Sequence, residues 1–289
     1  MKGIQYLGEA LSLMNAAQVY LASRFLITDF IAIFFIESFV SSLIIFVLCS
    51  PFVVKKTTFK EVSNNQLEYF FSGLIAFLTC YVWYKCAGMI SIGFGLAAKG
   101  LCYPLSVMLI FAISSSITGS IMSNLSMVVV IFINIFHSVD TSLDGFFDIY
   151  SGIFYLALYV IFAVSSDFIA RCMINRNGIP KFLVANSFYI ILYSSLLLLD
   201  PDIDNSSGVQ IFMKKNPYTC IALTLLSTVS KILGPYYIYK QGTVAYSNTR
   251  VSTYAYFNII KCLAGKDRLW GLGEAIFHLM IYTMVMFIE

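Results

Sequence analysis

The sequence predicts an all-α integral membrane protein of ten transmembrane helices, arranged as two inverted five-helix repeats over residues 1–137 and 138–289. Three observations predict it. Of the 289 residues, 59% are hydrophobic and only 11% charged, and the mean hydropathy is +0.83, a balance far outside that of soluble domains. Apolar spans fall near 4–24, 30–53, 68–87, 90–113, 118–136, 147–170, 181–199, 217–239, 244–263 and 269–288, each close to the length that crosses a hydrocarbon core roughly 30 Å thick. The halves carry five spans each in the same order, with Tyr84-Lys85 closing the third span and Tyr239-Lys240 the eighth. Because five is odd, the second set must enter the membrane from the opposite side.

The first span is the least apolar, interrupted by Gln5, Glu9, Ser12, Asn15 and Gln18. Their spacing of three to four residues gathers them along one side of a helix, as a cavity wall would require. No small-residue cleavage site follows a clean apolar core, so this segment reads as a membrane helix and not as a removed signal. The fourth span, Ile90 to Ile113, holds Lys99 close to its middle. A lysine at that depth costs about 2.5–3.5 kcal/mol on insertion scales and should face protein or a water-filled cavity. Gly93, Gly95, Ala97, Ala98 and Gly100 surround it and permit close approach by a helix or a ligand. The resemblance of Gly93-Phe94-Gly95 to a phosphate-binding loop lacks the strand-turn-helix setting and reads as helix packing.

In the second half, the ninth span occupies the position of the Lys99 helix and carries Arg250. Ser247, Arg250, Tyr254 and Asn258 fall three to four residues apart, a polar stripe on an otherwise apolar helix. Lys231 lies in the eighth span beside Ser227 and Thr228, with Pro235 expected to kink that helix. Two further stripes, Asn186, Tyr189 and Tyr193 in the seventh span and Ser151, Tyr155 and Tyr159 in the sixth, would suit a base or sugar, or else packing seams and the interfacial belt. Such intramembrane cations either bind an anion or pair with a carboxylate, for which Glu9, Glu37 and Glu274 are the candidates. An arginine that grips two oxygens together with a mobile lysine charge suits a phosphorylated substrate. The substrate-binding candidates are therefore Lys99, Arg250, Tyr254, Asn258, Ser247, Lys231, Asn186, Tyr189, Tyr193, Tyr155 and Asn15.

Connections are short except at 54–67, 137–146, 171–180 and 200–216, so no soluble domain is inserted. Basic residues cluster at 54–67 and 171–180, which places both connections and both termini in the cytoplasm. The sequon Asn205-Ser206-Ser207 then lies on the opposite side. The net charge of +3 is dispersed, which excludes nucleic acid as a partner. Seven cysteines without a CxxC indicate neither a disulfide framework nor a zinc site. His137 with Asp140, Asp144 and Asp148 reads as a solvated acidic loop and not a metal site. No catalytic triad or carboxylate pair can be assembled, so no enzyme activity, metal or cofactor is expected.

At AAKGLCYPLSVML, residues 97–109, the chain resembles the lysine-and-proline segment of the fourth helix of nucleotide-sugar transporters, members of the drug/metabolite transporter superfamily, above all their UDP-sugar and adenylyl-sulfate branch. NTRVSTYAYFNIIKCLAGKDRLWGLGEAIF, residues 248–277, is similar to that branch's ninth helix and the start of its tenth, with Thr249, Arg250, Trp270 and Gly271 at matching positions. The chain departs from the pattern in three places. Lys99 stands one residue further from Pro104 than usual, a second lysine is missing, and Val251 replaces a lysine after the arginine. The resemblance implies antiport of a nucleotide sugar, or a related nucleotide, against a nucleoside monophosphate by alternating access in the endoplasmic reticulum or Golgi membrane. Lys99 and Arg250 would be the phosphate ligands. The partners implied are this small-molecule substrate and the lipid bilayer, and a homodimer is compatible. The alternative within the superfamily is an exporter of amino acids or other small metabolites in a bacterial inner membrane.

Overall fold

A computed structural model of the chain describes residues 2–53, 65–115, 120–140, 149–198 and 205–264, together with Gly273, Ile276 and Met280. Apart from those three positions, the tenth expected span at 269–288, with Trp270, Gly271, Glu274 and His278, lies outside the described residues. Among the described residues every regular element is a helix. These are α1 (Lys2–Ser23), α2 (Leu26–Phe35), a π-helical turn (Ile36–Val40), α3 (Ser41–Val53), α4 (Gln66–Ala87), α5 (Ile92–Lys99), α6 (Cys102–Ser114), α7 (Ile121–Asp140), α8 (Ile149–Asn177), α9 (Ile179–Leu198), α10 (Asn205–Lys215), α11 (Pro217–Gln241) and α12 (Thr243–Leu263). Counting helices that continue one another across a break as single spans, seven among the described residues are long and apolar enough to cross a bilayer. The protein is an all-helical, multi-pass membrane protein. Helices α1 and α12 fall short of that apolarity through their polar stripes, although each is long enough, at about 1.5 Å per residue, to cross a core of roughly 30 Å.

Helix α4 packs along α8 and α9, α1 along α12 and α11, and α3 along α9. The largest buried cluster is aromatic at its centre, where Phe34 meets Phe77, Tyr81 and Tyr84 edge-on, with ring centroids 5.4, 5.7 and 6.5 Å apart. Hydroxyls inside the apolar helices return to carbonyls one turn back, as Ser38 does to Phe34 (2.6 Å), Thr79 to Ile75 (2.7 Å) and Thr253 to Thr249 (2.6 Å). A side chain without a water partner is thereby satisfied by its own helix.

Three departures from the sequence expectation bear on the site. The fourth span is not one helix: it breaks after Lys99, and α6 starts at Cys102. Pro104 has no N–H for the Gly100 carbonyl four residues earlier, and that carbonyl takes the Tyr103 N–H instead (2.9 Å). The expected connection at 171–180 shrinks to Gly178, because α8 continues to Asn177 and α9 starts at Ile179. Gly178 has φ +81°, a conformation open to glycine and costly for other residues. The expected connection at 200–216 contains helix α10, whose Val209 and Phe212 are buried, Phe212 edge-on to Phe25 at 5.2 Å. Asn205 of the sequon opens that helix. Pro235 lies inside α11, which runs through it as one helix.

The turn between α11 and α12 is a single residue, Gly242, at φ +93° and ψ 174°. That region is essentially reserved for glycine, and a Cβ there would also stand 2.7 Å from the Arg171 guanidinium. Gly242→Ala is expected to destabilise the protein by about 1–3 kcal/mol. Thermal unfolding in detergent measures this, and an unchanged midpoint would contradict the strain.

Candidate functional site

A cavity of about 280 Å³ lies inside the bundle, with walls from α1, the π turn, α4, α5, α8, α11 and α12. A second space of about 180 Å³ adjoins it through shared walls at Asp167, Ser230, Lys231 and Tyr246. Three of the sequence-predicted cations, Lys99, Lys231 and Arg250, line the first cavity, and so does Asn15. Two carboxylates, Glu37 and Asp167, line it with them. Three positive groups therefore face two negative ones if all are ionised.

Each cation is held differently. Arg250 is bound from two sides by Asp167: its Nη1 donates to Oδ2 at 2.6 Å and its Nη2 to Oδ1 at 3.0 Å. This is a fork-to-fork pair between α12 and α8, with side-chain exposures of 12% and 8%. Nη1 also reaches the Ser247 hydroxyl at 3.4 Å, and the guanidinium lies 5.0 Å from the centre of the Tyr246 ring. Lys99 has no carboxylate at ion-pair distance among the described residues. Its ammonium sits over the Trp83 ring, 3.2 Å from the centroid, with Tyr159 at 5.0 Å. Aromatic faces attract a cation by about 2 kcal/mol or more when desolvated, enough to hold Lys99 in place while leaving its charge uncompensated.

The position of Lys231 follows from the π turn. There the Ser41 N–H bonds back to Ile36 O, five residues away, which frees the Glu37 carbonyl from the helical ladder. That carbonyl accepts instead from the Ser41 hydroxyl, from the Ser227 hydroxyl (3.2 Å) and from Lys231 Nζ. Lys231 also donates to the hydroxyls of Ser41 (2.7 Å) and Ser42 (3.3 Å). Its protons thus go to the Glu37 backbone and two serines, although the Glu37 carboxylate is close by. Glu37 is 3% exposed, and its carboxylate is hydrogen-bonded by Tyr84 and Gln18, while Oε1 has no donor among the described residues.

The other sequence-predicted residues are placed elsewhere. On α12 the cavity-facing stripe is Tyr246, Arg250 and Thr253. Ser247 is fully buried and shares a 2.8 Å hydrogen bond with Ser106 of α6. Tyr254 meets His137 Nδ1 through its hydroxyl at 2.8 Å. Asn258 lines neither space. Asn186 lines the second space and accepts from Ser72 at 3.2 Å. Tyr189 and Tyr193 belong to the α4–α9 seam: Tyr189 packs where Gly73 leaves room, and Tyr193 donates to Phe70 O at 3.2 Å. Tyr155 packs against the aromatic cluster, one turn from Tyr159, which reaches the cavity. The polar stripe of α1 divides. Asn15 and Gln18 face the cavity, with Asn15 accepting from Ser230 at 2.8 Å. Ser12 and Glu9 instead join α1 to α12 through Thr249 O (3.0 Å) and Tyr256 (2.8 Å).

Asp167, Trp83 and Tyr246 are among the cavity residues that sequence reasoning missed, as are Thr79, Ser166, Ser230 and Thr253. Asp167 had a signal in principle, since it falls within 147–170, but it sits beside the expected end of that span. Only the extension of α8 to Asn177 puts it at depth. Among the described residues, no three His, Cys, Asp or Glu side chains converge as metal ligands, and no disulfide joins any of the cysteines.

Fold and cavity together define a polytopic α-helical membrane protein with a charged interior chamber. No family model matches the chain, and no curated protein matches it either.

Proposed function

We propose that the protein is a secondary transporter: an antiporter that exchanges a nucleotide sugar or related nucleotide for a nucleoside monophosphate by alternating access, in the endoplasmic reticulum or Golgi membrane. In this reading the chain forms two inverted five-helix repeats, and the chamber is the substrate site between them. The observation that carries it is the convergence of Lys99, Lys231 and Arg250 on one chamber inside a membrane bundle. Cations are expensive at that depth and mark substrate or ion paths. The surplus of positive charge suits an anion, and the broken helix at Lys99 is the kind of discontinuity that transporter sites use. The chamber and the adjoining space, about 280 and 180 Å³, together reach the range of roughly 300–1,000 Å³ common for organic ligands. A second reading, export of amino acids across a bacterial inner membrane, draws on Glu37 and Asp167, which would receive an ammonium group beside cations that receive the carboxylate.

Proteoliposomes containing only this protein test both readings. Internal uridine monophosphate should exchange for external labelled nucleotide or nucleotide sugar, with the substrate recovered chemically unchanged. Flux of amino acids without nucleotide exchange would favour the second reading. Chemical conversion of the substrate, or no flux with either class, would overturn transport.

A further inference from the structure

We infer that Asp167 is a built-in competitor for the anion and sets the charge that a ligand must carry. This inference rests on the transporter reading. Asp167 presents two oxygens to Nη1 and Nη2 of Arg250 at 2.6 and 3.0 Å, the same two-point grip that a phosphate would take. Both side chains lie on the chamber wall, so the carboxylate occupies the place that the fork offers to a ligand. An anion can engage Arg250 fully only by displacing Asp167, and the displaced carboxylate needs a new cation.

Lys231 can be that cation. It lines both spaces, as Asp167 does, and its present acceptors are a carbonyl and two serine hydroxyls, none of them charged. The ligand would then sit between Arg250 and Lys99, whose ammonium rests over the faces of Trp83 and Tyr159. Asp167 would turn from Arg250 to Lys231, and each of the three cations Lys99, Lys231 and Arg250 would then have an anionic partner.

The consequence is selectivity. A monoanion brings one charge against a carboxylate that also carries one and is already tethered in place. A phosphate dianion brings a second charge, which meets Lys99. The chamber therefore selects dianions such as phosphate monoesters over monoanions of the same size. The pair also joins α8 to α12 in the absence of ligand, and a dianion releases that tie.

The probes are uridine monophosphate and its phosphate methyl ester, which keeps the nucleoside but carries one charge fewer. Titration calorimetry on the full chain in nanodiscs should show the parent binding the dianion at least about tenfold more tightly than the ester. Asp167→Asn should tighten both by about ten- to a hundredfold, the ester more, so that the ratio narrows. Asp167→Glu keeps a carboxylate and should retain the parent's preference. In thermal unfolding Asp167→Asn should start lower than the parent and rise further with uridine monophosphate, which a purely structural ion pair would not do. Equal affinity of the parent for both probes overturns the proposal without any variant. Binding of uridine monophosphate that is unchanged or weaker in folded Asp167→Asn overturns it while leaving transport standing. If neither protein binds either probe, the nucleotide reading fails and the proposal fails with it.

Discussion

Arg250→Ala should lower stability by about 3–5 kcal/mol, more than any other single change at the chamber, because it strands the Asp167 carboxylate in a buried site. Asp167 is buried and Arg250 nearly so, with side-chain exposures of 8% and 12%, and among the described residues no other donor to Asp167 matches the guanidinium fork. The double variant Asp167→Asn/Arg250→Gln removes both charges and should recover most of that loss. Arg250→Lys should recover part of it, since charge returns without the two-point geometry. Thermal unfolding followed by size-exclusion chromatography measures all four proteins. Equal losses for Arg250→Ala and the double variant would show that the stranded Asp167 carboxylate is not what destabilises the protein. The same cycle keeps loss of folding apart from loss of ligand binding, which Arg250→Ala alone would confuse.

Lys99→Met should behave in the opposite way. The substitution removes a cation that has no carboxylate at ion-pair distance among the described residues and replaces it with an unbranched apolar chain of similar length. A lysine at the bilayer centre costs about 2.5–3.5 kcal/mol on insertion scales, and contact with Trp83 and Tyr159 at 3.2 and 5.0 Å returns about 2 kcal/mol or more of that. The unfolding midpoint should therefore hold or rise, while nucleotide binding weakens by about ten- to a hundredfold through loss of a charge-assisted contact. Titration calorimetry on the stable variant gives the affinity. Undiminished binding would remove Lys99 from the site and leave the phosphate to Arg250 and Lys231.

The helices were legible because hydropathy and the 3.6-residue period act locally. Spans such as 68–87 and 217–239 differ by only a few residues from Gln66–Ala87 and Pro217–Gln241. Where the reading missed, the cause was a local signal weighed too lightly. Pro104 already argued for a break near Lys99, and Gly178 for a turn of one residue in place of a ten-residue connection. The amphipathic run in Asn205–Lys215, with Val209 and Phe212 three residues apart, pointed to a helix where a loop was expected.

Composition, span length and the presence of lone cations were enough to establish, without any fold, that the chain belongs in a membrane and that Lys99, Lys231 and Arg250 need special surroundings. Burying a charge is costly wherever its neighbours come from. Which neighbours answer that cost is not a local matter. Asp167 stands 83 positions before Arg250, Trp83 stands on a different helix from Lys99, and Lys231 reaches a carbonyl 194 positions away. The carbonyl is free only because the π turn at Ile36–Val40 shifts one backbone hydrogen bond. The face of α12 that meets the chamber depends on how α12 is rotated against α1 and α6. Ser247 and Tyr254 share a stripe with Arg250 by periodicity, yet packing turns them into helix contacts and brings Tyr246 and Thr253 to the wall. Period sets which residues share a side of a helix, and only the tertiary arrangement decides what that side meets.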